Sequence, residues 1–100
     1  MKDFYFSSEG DQKKFLIENK WLICSLIVEG VKKSLEEELD SILIFRLINT
    51  IDDVVLTTEL RKEDWVVSLK KCLEYYESVE EYEMCDKIIN LLKSIKNGTS

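Results

Sequence analysis

The chain contains no histidine, no proline and no alanine, and only three glycines, three cysteines and two arginines in 100 residues. Without histidine there is no imidazole to ligate zinc or to shuttle a proton near neutral pH, so acid–base or nucleophilic work would rest on Lys, Glu, Tyr or Cys alone. No group of that kind is marked out by its neighbours, and the sequence points away from an enzyme. Cys24, Cys72 and Cys85 are odd in number and lack the Cys-x-x-Cys spacing, which indicates neither a disulfide framework nor a metal site. Gly10, Gly30 and Gly98 are scattered, so no glycine-rich loop is available to cradle phosphate, and no cofactor is expected. Arg46 and Arg61 stand apart, which leaves no basic patch to follow a nucleic-acid backbone. Direct nucleic-acid binding is therefore not expected. No apolar run reaches the roughly 20 residues of a membrane span, and the first residues lack the basic start and apolar core of a signal peptide. The expectation is a cytoplasmic protein without a membrane. The missing alanine and proline, with twelve lysines against two arginines, point to an AT-rich coding sequence of bacterial or phage origin.

What is present describes one α+β domain spanning residues 1–100. Apolar residues make up 45% and charged residues 34%, and the net charge is −6, a balance that gives an ordinary core and favours basic protein partners. Residues 1–10 read as an extended lead-in closed by Gly10, with Phe4 and Phe6 on one side and Tyr5 on the other. A single long helix is then expected over about 11–39. Asp11, Lys14, Glu18, Ser25, Glu29, Lys32 and Glu36 form one narrow polar stripe at about 100° per residue, and apolar side chains occupy most of the remaining circumference. A strand at 21–28 is the alternative, which the regular stripe disfavours. So broad an apolar surface demands more cover than a small domain owns, and Trp21, Leu22 and Ile27 are the expected contacts of a homo-oligomer.

Two β-rich runs follow at 42–48 and 54–60, joined by a turn-like Asn49-Thr50-Ile51-Asp52-Asp53, and are read as a β-hairpin. The first run is apolar on both faces except Arg46, as suits a strand inside a sheet; a short helix there is the competing reading. The paired acids Asp52 and Asp53 lack the spaced oxygens of a calcium site and read as a solvated turn.

From Glu63 onward the periodicity is helical. Trp65, Val66, Leu69, Cys72, Leu73 and Tyr76 mark one face, and Cys85, Ile88, Ile89, Leu92 and Ile95 mark another. Between them Ser78-Val79-Glu80-Glu81 has the form of a capping box. An antiparallel pair folded about Ser78 sets Cys72 against Cys85, Leu69 against Ile88 and Trp65 against Leu92. Asn97-Gly98 supplies the stop and Thr99-Ser100 a tail.

The segment 74–86 holds six acids, three tyrosines and no base. Tyrosine offers contact area with a polar tip and concentrates in recognition surfaces, so Tyr75, Tyr76, Glu77, Glu80, Glu81, Tyr82 and Glu83 are the candidate partner-binding residues. The competing reading is that the acids complement a helix dipole and the tyrosines serve the core. With Glu81-Tyr82-Glu83 followed by Cys85, Ile88 and Leu92, residues 72–95 loosely resemble a UVR-type helical hairpin, a protein-interaction module. Asp86 and Ile89-Asn90 depart from that pattern. The resemblance implies docking onto another protein without catalysis. The expected function is a small acidic regulator or adaptor acting by stoichiometric binding. Alternatives are a phage-type acidic inhibitor of a nucleic-acid-binding or defence enzyme, and a protein that sequesters a small molecule.

Overall fold

The computed structural model describes residues 2–98; Met1, Thr99 and Ser100, the expected tail among them, lie outside the described residues. Over the described residues the architecture is α+β, with a three-stranded sheet and four α-helices. It departs from expectation at its start. The chain opens with a strand, β1 (Lys2–Phe6), followed by α1 (Glu9–Glu18) and α2 (Lys20–Glu36). Next come β2 (Ser41–Asn49), β3 (Val54–Arg61) and a short 3-10 turn at Lys62–Asp64, then α3 (Trp65–Ser78) and α4 (Tyr82–Gly98).

The long rod expected over 11–39 is two helices. Asn19 sits between them at φ −114° and ψ 32°, outside helical values. Its amide side chain donates to the Phe15 carbonyl at 3.0 Å, while its own carbonyl accepts from Ile23 N at 3.0 Å. Asparagine competes for local backbone groups in this way, and the result is a break that the apolar pattern runs straight through. The first helix also begins earlier than expected, because the Ser8 hydroxyl caps it by accepting from Asp11 N at 3.1 Å. Gly10 thus lies inside a first turn instead of closing a strand.

The two helices have opposite fates. α1 buries no residue, and Ile17 on it is 77% exposed. Phe15 and Leu16 tie it down: the Phe15 ring lies 4.7 Å from that of Phe4 and 5.2 Å from that of Phe6, and Leu16 packs against the core. α2 buries Cys24, Val28, Gly30, Val31 and Ser34, with Leu26, Ile27 and Leu35 half-buried against the core. Much of this apolar surface is covered within the chain, since the sheet lies on one side of α2 and the last two helices on another, while Trp21 stays 42% exposed.

β2 is the central strand. It pairs parallel with β1 (Phe4 opposite Leu47) and antiparallel with β3 (Leu47 opposite Leu56). At Ile44 the register slips, since Leu43 faces Glu59 while Phe45 faces Thr58. This bulge lets both Ile44 and Phe45 turn inward. The hairpin turn is organised by Asn49, whose buried side-chain oxygen accepts from Ile51 N at 2.9 Å and Asp52 N at 3.1 Å. Helices cover one face of the sheet only. On the other, Asp3 forms a two-pronged ion pair with Arg46, at 2.8 and 2.6 Å, beside the cross-strand row of Tyr5, Ile48 and Val55, in which Tyr5 and Val55 are exposed. Among the described residues no helix is long and apolar enough to cross a membrane.

Two helices end on a residue in the left-handed region that is not glycine. Glu38 has φ 53° and Glu80 has φ 59°. In each case the following amide reaches back to close the helix, Leu39 N to Ser34 O and Glu81 N to Tyr76 O, both at 2.9 Å. This is the arrangement that normally recruits glycine. The expected capping box is absent: Ser78 ends α3, and its hydroxyl donates to the Tyr75 carbonyl at 2.6 Å.

Relieving the left-handed glutamates should stabilise the fold. Glu38→Gly and Glu80→Gly are each expected to raise stability by about 0.5–1 kcal/mol, seen as a higher urea midpoint at unchanged slope. The Asp3 pair has its own signature in acid. Its hydrogen bonds to Arg46 hold the Asp3 carboxyl below its ordinary value, so its contribution is full above about pH 4 and fades as pH falls towards the lowered value. The urea midpoint of Asp3→Asn should therefore fall less steeply than that of the parent chain between about pH 5 and pH 2.5.

Candidate functional site

α2 and α3 run against each other so that the start of one meets the end of the other. The Tyr76 hydroxyl donates to the Trp21 carbonyl at 2.8 Å, and the two rings meet edge to face at 5.8 Å. Tyr75 packs on Tyr76 at 5.4 Å, and the Lys20 ammonium sits 5.3 Å above the Tyr75 ring. Residues nominated separately from sequence, Trp21 for self-association and the tyrosines for a partner, are therefore brought to one end of the molecule.

They do not play equal parts there. Tyr76 is fully buried and belongs to the core, so it is withdrawn as a partner contact; burial raises its phenol well above the ordinary value. Tyr75 is half-buried, whereas Tyr82 is 63% exposed and Trp21 42%. Glu77, Glu80, Glu81 and Glu83 are all exposed around them. Ile27 and Leu22 are half-buried, with Ile27 packed against the core. Val79, given only a place in a cap by the sequence reading, is 45% exposed at the α3–α4 corner. The left-handed Glu80 turns the chain there, and this presents Val79 and Tyr82 amid the acids.

The geometry also brings Cys24 and Cys72 into contact across α2 and α3. Cys72 Sγ donates to the Cys24 carbonyl at 3.9 Å. Cys85 lies in the same buried cluster as Cys24 and Cys72, with its thiol raised by burial and by the carboxylates of Glu77 and Asp86. Helical periodicity shows which face a residue lies on. It does not show which of two neighbouring helices that face will meet.

The surface has several grooves. One of about 430 Å³ runs between α2 and α4, past Val28, Lys32, Leu35, Lys87 and Leu91. Another, about 660 Å³, lies between α2 and α3. Trp65 is buried with its indole N–H unpartnered among the described residues. No three Cys, Asp or Glu side chains among the described residues gather as metal ligands. The aromatic and acidic end thus combines exposed apolar area with dense charge of one sign, the chemistry of a docking surface. No protein-family model matches the chain, and no curated protein or solved structure shows significant similarity to it.

The division between core and surface tyrosines is measurable. Tyr76→Phe should cost about 0.5–1.5 kcal/mol through loss of the bond to Trp21, whereas Tyr82→Phe should leave the urea midpoint unchanged.

Proposed function

We propose that this chain is a small acidic protein-interaction module, a regulator or adaptor that acts by stoichiometric binding in the cytoplasm. Its recognition surface is the end formed by Trp21, Tyr75, Val79 and Tyr82 with Glu77, Glu80, Glu81 and Glu83. The observation that carries this reading is the convergence, through the Tyr76–Trp21 contact, of exposed apolar side chains and acids contributed by separate helices. Such a surface suits a partner segment bearing lysine or arginine beside an apolar anchor, since aromatic groups at the centre supply affinity and peripheral charge supplies steering.

The position of the acids supports docking over imitation of a nucleic-acid backbone. Glu36, Glu37 and Glu38 lie at the end of α2, about 24 Å of helix away from Trp21. The two acidic clusters thus occupy opposite ends of that helix and do not form one continuous row. The resemblance of residues 72–95 to an interaction hairpin agrees in kind. Three unlinked cysteines also suit a reducing compartment.

The test is a pull-down from the native host with the intact complex weighed, repeated with Glu77, Glu80 and Glu81 all changed to lysine. The variant should keep its circular dichroism and melting temperature, because these side chains are exposed, and should lose the partner. Complex formation at undiminished yield would remove this surface.

A further inference from the structure

The α2–α3 contact brings two cysteines to one groove, which borders the docking surface at Tyr75. Cys24 and Cys72 are 48 positions apart in sequence, yet Cys72 Sγ approaches the Cys24 carbonyl to 3.9 Å. Cys24 is 6% exposed and Cys72 2%. Both nevertheless line the same groove of about 660 Å³, with Lys20, Ile23, Ile27 and Lys71 beside them. The groove gives a small reagent a way in.

We propose that Cys24 and Cys72 form a redox-active dithiol, at which a hydroperoxide or a small-molecule disulfide closes a covalent link between α2 and α3. The roles of the two sulfurs differ. The neighbouring Cys72 thiol lowers the Cys24 thiol and the nearby Lys20 ammonium lowers it further, against the opposing effect of burial. Cys72 is raised, first by its interaction with Cys24 and then by burial. Cys24 is therefore the attacking thiolate and Cys72 the resolving thiol.

With a hydroperoxide, the Cys24 sulfur attacks the O–O bond, takes one oxygen as a sulfenic acid, and the leaving alkoxide or hydroxide picks up a proton. The Cys72 sulfur then attacks the Cys24 sulfur, and the sulfenic oxygen departs as water carrying the Cys72 proton. Two thiols are oxidised by two electrons and one hydroperoxide is reduced. With a small disulfide, the same two attacks pass through a mixed disulfide and release two small thiols. Cys85 is left out, because burial and the carboxylates of Glu77 and Asp86 raise its thiol.

The experiment is run on the native chain. Hydrogen peroxide or oxidised glutathione is added, remaining thiols are alkylated under denaturing conditions, and the linkage is mapped by mass spectrometry. Trypsin alone leaves Cys72 and Cys85 on one peptide, 72–87, so cleavage after glutamate is needed to separate them. The expected result is a monomer lighter by about 2 Da before alkylation, with Cys24 joined to Cys72 and Cys85 alkylated. Cys85→Ser should give the same link at the same rate, and Cys24→Ser should give none. A link involving Cys85, links only between chains, or oxidation to sulfinic acid without a link would overturn the proposal. The parent chain is itself diagnostic, so the outcome does not hang on a variant that folds.

Discussion

The structure depends on one helix being acceptable on nearly every side. α2 lies between the sheet and the α3–α4 pair, and its close approach to β2 is made at Gly30, where a Cβ would run into Ile44 Cδ1. Ser34 is fully buried there too, which is tolerable because its hydroxyl donates to the Gly30 carbonyl at 2.8 Å. Val28 and Val31 are buried to 1% and 0% exposure, each removing apolar surface worth about 1.5–3 kcal/mol from water. The narrow polar stripe is the strip left to solvent once the other elements have taken their places. Glu29, Lys32 and Glu36 all remain exposed along it.

That arrangement explains where sequence reasoning reached and where it stopped. The central placement of β2 was legible because both of its faces are apolar, and the turn at Asn49 because its residues have strong local preferences. The parallel addition of β1 was not, since pairing Phe4 with Leu47 depends on contacts across more than forty positions that no local pattern encodes. The break at Asn19 was hidden for a different reason. A single side-chain amide competing for the Phe15 carbonyl leaves the apolar periodicity on either side intact. Likewise, Glu38 and Glu80 take a conformation usually signalled by glycine, so the helix stops carried no glycine to announce them.

At the candidate site the same limits apply. The acidic and aromatic composition of 74–86 was plain, but the division of labour among its tyrosines was decided by α2, a helix some fifty positions away. One register between α2 and α3 sets all of it. The facing of Trp21 with Tyr76 and that of Cys24 with Cys72 are successive turns of a single antiparallel contact. The surface that would receive a partner and the thiols that would close a bond are consequently tied to the same piece of packing, through different side chains.

The uncovered side of the sheet has a practical bearing on how this protein behaves in solution. β3 is an outer strand, and Val54, Val55 and Leu56 are all about half exposed at its beginning, with neither lysine nor proline among its residues to discourage a neighbour. What holds such strands apart is mutual repulsion between molecules that each carry a net charge of −6. That repulsion vanishes at the isoelectric point, near 4.7. Mild acidification or high salt, far short of unfolding the chain, therefore strips away its colloidal protection and leaves a sticky ribbon as the route to precipitation.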